Sequence, residues 1–195
     1  MHTLKGRSRT IAWIVALLVS SSFSPGQTKD ASPDWKGIVQ NRLPLYGHRN
    51  WIAVTDSAFP VYAAPGIETI VVNEDLPSVV KYVAKAISST RHVRATVFLD
   101  QEVQFIDESD YPGVSELRRQ IAALFPKEQV SSIPHAEAMS RIEEAGKTFR
   151  ILFIKSSATI PYTSVFMRLD CGYLSDEVER KIRTAMAAAG NRQPK

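Results

Sequence analysis

The sequence predicts an α/β domain, one layered unit in which strands and helices alternate along the chain. Three observations predict it. Short apolar, β-branched runs of strand length recur between Trp51 and Leu169. Segments with apolar residues at helical spacing fall between them, opened by capping residues and prolines. The 195 residues, 44% hydrophobic and 23% charged, suffice for one core without disulfides or metals.

Each element has a local reason. Asp34 caps a short helix from Trp35 to Leu43. Gly47-His48-Arg49-Asn50 is a polar turn, and Trp51 to Thr55 is a compact buried strand ending at Asp56. Gly66 precedes a strand from Ile67 to Val72. Asp75-Leu76-Pro77 opens a helix carrying Val79, Val80, Val83, Ala84 and Ile87 at helical spacing. Val93 to Leu99 is the third strand, with Val103 to Ile106 as its continuation or hairpin partner. Ser115 to Leu124 is an amphipathic helix, with Leu117, Ile121 and Leu124 on one face. A short strand, Gln129 to Ile133, leads to Pro134-His135, which opens a helix closing at Gly146. Phe149 to Ile154 and Ser164 to Leu169 are the last strands, and Ser175 caps a final helix reaching about Ala189. The domain is expected over residues 35–190.

The amino terminus reads as an export signal over residues 1–26. Lys5, Arg7 and Arg9 precede an apolar run from Ile11 to Val19 and then Ser20-Ser21-Ser22. The apolar run is about half the length of a membrane span, so no stable span is expected after cleavage. Small residues permit cleavage after Ser21, Ser22 or Gly26. Residues 27–34 are an unstructured lead-in. The expected location is periplasmic or secreted. The formal net charge is +4, and without the three leader cations it falls to +1. With no basic stripe and no aromatic platform interleaved with arginine, nucleic acid is not a partner. Cys171 is the one cysteine, so no internal disulfide forms, and it is expected as a buried thiol.

Several chemistries lack their motifs. No glycine-rich nucleotide loop, no H-E-x-x-H and no cysteine pair for zinc is present. Ser57 and Ser164 lack the elbow and oxyanion motif of a serine hydrolase. Metal and cofactor are therefore expected to be none. What remains is a set of polar residues at strand ends, where ligands of α/β folds bind. His48 precedes the buried strand and is either a ligand-facing group or a turn residue bonded to backbone. Asp56 ends that strand, as an acceptor for ligand hydroxyls or as an Asx-turn residue. His135 lies in the first turn of a helix, and Tyr162 follows Pro161 between two strands, free to stack on a sugar or simply to pack.

Three segments carry a resemblance to a known family. Gly47-His48-Arg49-Asn50-Trp51-Ile52-Ala53-Val54-Thr55-Asp56-Ser57-Ala58-Phe59-Pro60 is similar to the G-H-x-D-x-I-x-x-x-D-A-x-x-P signature of the ribose pyranase and fucose mutarotase family (RbsD/FucU). Ile133-Pro134-His135 resembles that family's second histidine segment, and Ile154-Lys155-Ser156-Ser157 through Pro161-Tyr162-Thr163-Ser164 its R-T-G-E…P-Y-A-N segment. The resemblance implies a mixed β-sheet flanked by helices, and cofactor-free interconversion of ring forms or anomers of a free monosaccharide. It implies rings of subunits with sites near subunit boundaries. It makes His48 the acid–base group, Asp56 and His135 its proton-handling or ligand-contacting partners, and Tyr162, Ser164 and Lys155 sugar contacts. The chain departs from the pattern at Asn50, Ala158 and Ser164, and the final helix lies outside it. A non-catalytic exported sugar-binding or assembly protein on the same scaffold is the alternative.

Overall fold

The computed structural model describes residues 34–190. The expected export signal and all of the lead-in except Asp34 lie outside the described residues. Helices α1 (Trp35–Arg42), α2 (Leu76–Ser88), α3 (Val114–Ala122), α4 (His135–Gly146) and α5 (Asp176–Gly190) alternate with strands β1 (Trp51–Thr55), β2 (Ile67–Val71), β3 (Val93–Asp100), β4 (Val130–Ile133), β5 (Ile151–Lys155) and β6 (Val165–Cys171). The strands form one sheet in the order β2-β5-β1-β6-β3-β4. The pairs β1–β5, β2–β5 and β3–β4 are parallel, and β6 runs antiparallel to both neighbours, β1 and β3. The sheet is therefore mixed, with β6 alone reversed. That reversal brings the carboxyl ends of β1 to β5 and the amino end of β6 to one edge.

Burial follows from the apolar runs. All five residues of β1 and the first four of β5 are buried, as strands covered on both faces require. On one face Ile52, Val54, Leu152, Ile154, Val165 and Met167 pack with Val39 of α1, Val79, Val80 and Val83 of α2 and Ile121 of α3. On the other, Trp51, Ala53, Phe153, Phe166 and Phe98 pack under Ala138 and Ile142 of α4 and under Phe59. The alternation of side chains along each strand assigns successive residues to these two faces. The caps form as expected. Asp34 accepts the Gly37 N–H, and Asp75 the Ser78 N–H, each at 2.9 Å. Gly66 permits a close backbone approach, since a Cβ there would stand 2.5 Å from the Gly146 carbonyl and 2.7 Å from that of Phe149.

Three expectations are corrected. Val103 to Ile106 is not a strand, because Gln101–Phe105 turns as a 3₁₀ helix. The turn begins where β3 ends at buried Asp100, and it carries the Glu102 carboxylate to the His135 backbone N–H at 2.9 and 3.0 Å. Phe105 is left 79% exposed. Strand β5 starts at Ile151 rather than Phe149, because the Thr148 and Phe149 N–H groups still bond to the Ala145 carbonyl at the end of α4. Cys171 is half-buried rather than buried, at the last position of β6 opposite Val93, the first residue of β3. The final helix is present as α5, with the Ser175 hydroxyl accepting the Val178 N–H at 3.2 Å and Arg94 pairing with Asp176 at 2.7 Å. Among the described residues no helix is long and apolar enough to cross a membrane.

Candidate functional site at the carboxyl edge of the sheet

The chemistry-bearing residues collect where the strand directions predict. Asp100 is the last residue of β3 and fully buried. His135 is the first residue of α4, held by the Glu102 carboxylate on its backbone N–H. Its Nδ1 lies 3.0 Å from Asp100 Oδ1, and its side chain is 32% exposed. The ring therefore stands between a buried carboxylate and open solvent. With Asp100 ionised, Nδ1 donates to the carboxylate and Nε2 keeps its lone pair for a ligand proton. Tyr162 meets the imidazole edge-on, with centroids 5.4 Å apart, and is 41% exposed. Its φ of 55° places it in the left-handed region, a position sparsely used by non-glycine residues and frequent at binding sites.

Burial pushes the Asp100 carboxyl up to about 6. The charge and hydrogen bond of His135 pull it down, Glu102 pushes it further up, and the backbone N–H of Ser164 lowers it. Asp100 Oδ2 and the buried Ser164 hydroxyl have no hydrogen-bond partner within the described residues. Two orphaned polar atoms beside a half-exposed imidazole are what a hydroxyl-bearing ligand would satisfy. Among the described residues, no group of three or more His, Cys, Asp or Glu is placed to hold a metal ion.

The raised Asp100 pKa has a stability consequence. Between the unfolded value, 3.8, and about 6, the folded state holds the Asp100 proton more tightly. This group's contribution to stability therefore grows as pH falls through that window and is lost as pH rises out of it. Unfolding in urea at pH 4 and pH 7 should show the wild type gaining stability relative to Asp100→Asn on acidification, on the order of 2 kcal/mol. Parallel pH profiles for the two proteins would show that Asp100 does not titrate in this way.

The other expected residues are distributed as follows. Ser164 immediately precedes β6. Asp56 follows β1 at the same edge, and its Oδ1 accepts the Ala58 N–H at 2.8 Å, an Asx turn. Lys155 ends β5, and by strand alternation it shares the α4 face with Phe153. Three strand spacings, about 14 Å, separate β5 from β3, so Lys155 does not touch the Asp100–His135 pair. His48 is the exception. It is exposed in the turn before β1, at the opposite edge of the sheet. The five residues of β1 alone span about 17 Å. Within one chain, then, His48 and Asp56 do not converge, and His48 does not join His135.

Sequence reasoning missed Asp100 and Glu102. The signal for Asp100 was the one used for Asp56, a carboxylate that directly ends an apolar strand, here after Val97-Phe98-Leu99. His92, just before β3, is a structural tie, its Nε2 lying 3.2 Å from the Leu43 carbonyl and 3.1 Å from that of Tyr46.

Several solved structures are similar to the chain. Bacillus subtilis RbsD complexed with D-ribose superposes with a TM-score of 0.50 at 15% identity, covering 71% of this chain and 93% of the other. The fucose mutarotase from Streptococcus pneumoniae in complex with L-fucose gives a TM-score of 0.47 at 14% identity, covering 73% and 94%. FucU from Bifidobacterium longum gives 0.44 at 12% identity, covering 69% and 94%. No curated protein sequence matches the chain. The model of the RbsD / FucU transport protein family matches residues 39–173, from α1 to just beyond β6 and thus across the whole sheet. With more than half of its length matched, including every residue at the carboxyl edge, the chain belongs to the RbsD / FucU transport protein family.

Proposed function

We propose that the chain interconverts ring forms or anomers of a free monosaccharide by acid–base catalysis at the Asp100–His135 pair. The observation that carries this reading is the 3.0 Å contact between a fully buried carboxylate and an imidazole open to solvent, beside exposed Tyr162. His135 Nε2 takes the proton of the anomeric hydroxyl. The bond between the anomeric carbon and the ring oxygen breaks, a carbonyl forms, and the ring oxygen takes up a proton from water as the His135 imidazolium returns its own to solvent, so no net proton is gained or lost. Reclosure on the other face, or through another hydroxyl, completes the exchange. Asp100 orients the imidazole and stabilises its protonated form, while the Tyr162 ring offers a face for the sugar. Because uncatalysed mutarotation is already fairly fast, modest acid–base assistance suffices.

The position of His48 bears on assembly. It can act at this edge only if a second copy supplies it, which fits a ring of subunits with sites at their boundaries. Saturation-transfer NMR on ribose, fucose, galactose and glucose tests both points. Acceleration over buffer for at least one sugar is expected. If the site is shared, His48→Ala and His135→Ala proteins are each inactive, and mixing them restores about a quarter of the activity through hybrid boundaries. No acceleration for any sugar would overturn the reading, and activity unchanged in His48→Ala would remove that residue from it.

A second reading, non-catalytic sugar binding, is favoured by the departure at Ala158, where the family carries a carboxylate. Calorimetric binding of a sugar without exchange would select it. Both readings place the protein outside the cytoplasm, on the strength of Lys5, Arg7, Arg9 and the apolar run after them. The mass of the mature protein, reduced by residues 1–26, checks this.

A further inference from the structure

At the edge of the sheet away from Asp100 and His135, a groove of about 680 Å³ runs between α4 and the strands β1 and β6. Arg49, Arg141 and Arg168 line it, with Trp51, Glu144 and Phe149. We propose that this groove binds a small ligand through its carboxylate or phosphate group, with Arg49 and Arg168 as the principal donors.

The charges do not cancel. Arg141 is paired with Glu137, Arg168 with Asp170 at 3.1 Å, and Glu144 is bound by Lys147 at 2.5 Å. Arg49 has no carboxylate partner among the described residues, so it leaves one uncompensated positive charge in the groove. The carboxyl end of α4 opposes it with about half a charge at most, acting over the last turn only. The donors do not cancel either. Asp170 occupies one terminal nitrogen of Arg168, while its Nε is buried with no hydrogen-bond partner. A buried N–H left unpaired is costly, and an anion's oxygen would satisfy it.

The geometry of the lining is also fixed. Arg168 and Arg141 both stand over the ring of Phe98, their guanidinium carbons 5.7 and 4.9 Å from its centroid. Two cations on one ring are held in place but mutually repulsive, an arrangement an added anion relieves. Arg49 stands over Phe149 at 5.9 Å. Its φ of 72° lies in the left-handed region, where an arginine is strained, and its backbone N–H is tied to the Leu169 carbonyl at 2.8 Å. The chain thus holds a guanidinium without a carboxylate partner among the described residues in the lining of the groove, at the expense of backbone comfort. Guanidinium forks suit carboxylate and phosphate oxygens alike.

The experiment uses the full mature chain labelled with 15N. The Nε–H resonances of the arginines are followed on adding inorganic phosphate, ribose 5-phosphate or glucuronate, with neutral glucose as control. The Arg168 and Arg49 signals should shift with at least one anionic probe, with Kd on the order of 1 mM, and not with glucose. Arg49→Ala should weaken binding at least tenfold and Arg49→Lys less. Preference for inorganic phosphate identifies a free anion, for the sugar phosphate a phosphorylated sugar, and for glucuronate a sugar acid. No shift with any anion at about 20 mM, or equal shifts in Arg49→Ala, would overturn the proposal. So would an Arg49→Ala protein with unaltered anion binding but a reduced oligomeric mass, which would make the groove a contact between copies.

Discussion

Replacing His135 with alanine should bring sugar exchange down at least a hundredfold, towards the buffer rate, while the protein stays folded. General acid–base groups contribute about 10² to 10⁴ in rate, and His135 is the one imidazole at the carboxyl edge among the described residues. Its ring is about one third exposed and packs only edge-on against Tyr162. The structural cost of losing it falls mainly on Asp100, whose buried carboxylate loses its partner. That carboxylate then takes up a proton more readily, which limits the destabilisation to about 1–2 kcal/mol. The Glu102 contact is to the backbone N–H of residue 135 and survives the substitution. Saturation-transfer NMR and far-ultraviolet circular dichroism on the same sample separate the two effects. Lost helix content together with lost activity would mean that His135 supports the fold rather than the chemistry.

The largest stability effect is expected at Phe153. This residue is fully buried in the middle of β5, between Ala53 of β1 and Thr69 of β2. Phe59 lies 4.9 Å from it by ring centroids, and Tyr62 stacks on it at 5.6 Å with planes 11° apart. Phe153→Ala removes the aromatic platform and leaves a cavity, at a cost of about 4 kcal/mol. For a domain of this size the melting temperature should fall by roughly 8–16 °C. The segment from Asp56 to Gly66, which anchors to the sheet through Phe59 and Tyr62, should also become the first site of proteolysis. Phe105→Ala is the control, since that ring is exposed and its loss should change stability by less than about 0.5 kcal/mol. A Phe153→Ala protein melting within a few degrees of wild type would show that the α4 face repacks around the gap.

The fold was legible because its signals are local. Asp34, Asp75 and Ser175 announce helix starts, and Trp51–Thr55 and Ile151–Ile154 are apolar runs that only a doubly covered strand can bury. Where local signals competed, the reading failed. Val103 and Phe105 have strand-forming side chains, but the long-range bond from Glu102 to the His135 backbone sets a 3₁₀ turn instead. The grouping of polar residues at the carboxyl edge, a candidate site only, was half legible. His135, Tyr162 and Ser164 could be named from proline-marked connections and family resemblance. The carboxylate bonded to His135 lies 35 positions earlier, and no short-range pattern links Asp100 to it. His48 and Asp56 looked like a pair because one strand joins them, yet a strand separates its ends rather than uniting them. Adjacency in such a sheet comes from strand order and direction, and the reversal of β6 is not written in any single strand.

The central claim is that Asp100 and His135 act as one acid–base unit. A double-mutant cycle on the exchange rate tests it most directly, with Asp100→Asn, His135→Ala and the double variant measured at one pH on one sugar. Groups that act together lose their effect together, so the double variant should be no slower than the His135→Ala protein. An Asp100→Asn protein at the wild-type rate, or losses that multiply in the double variant, would contradict the account.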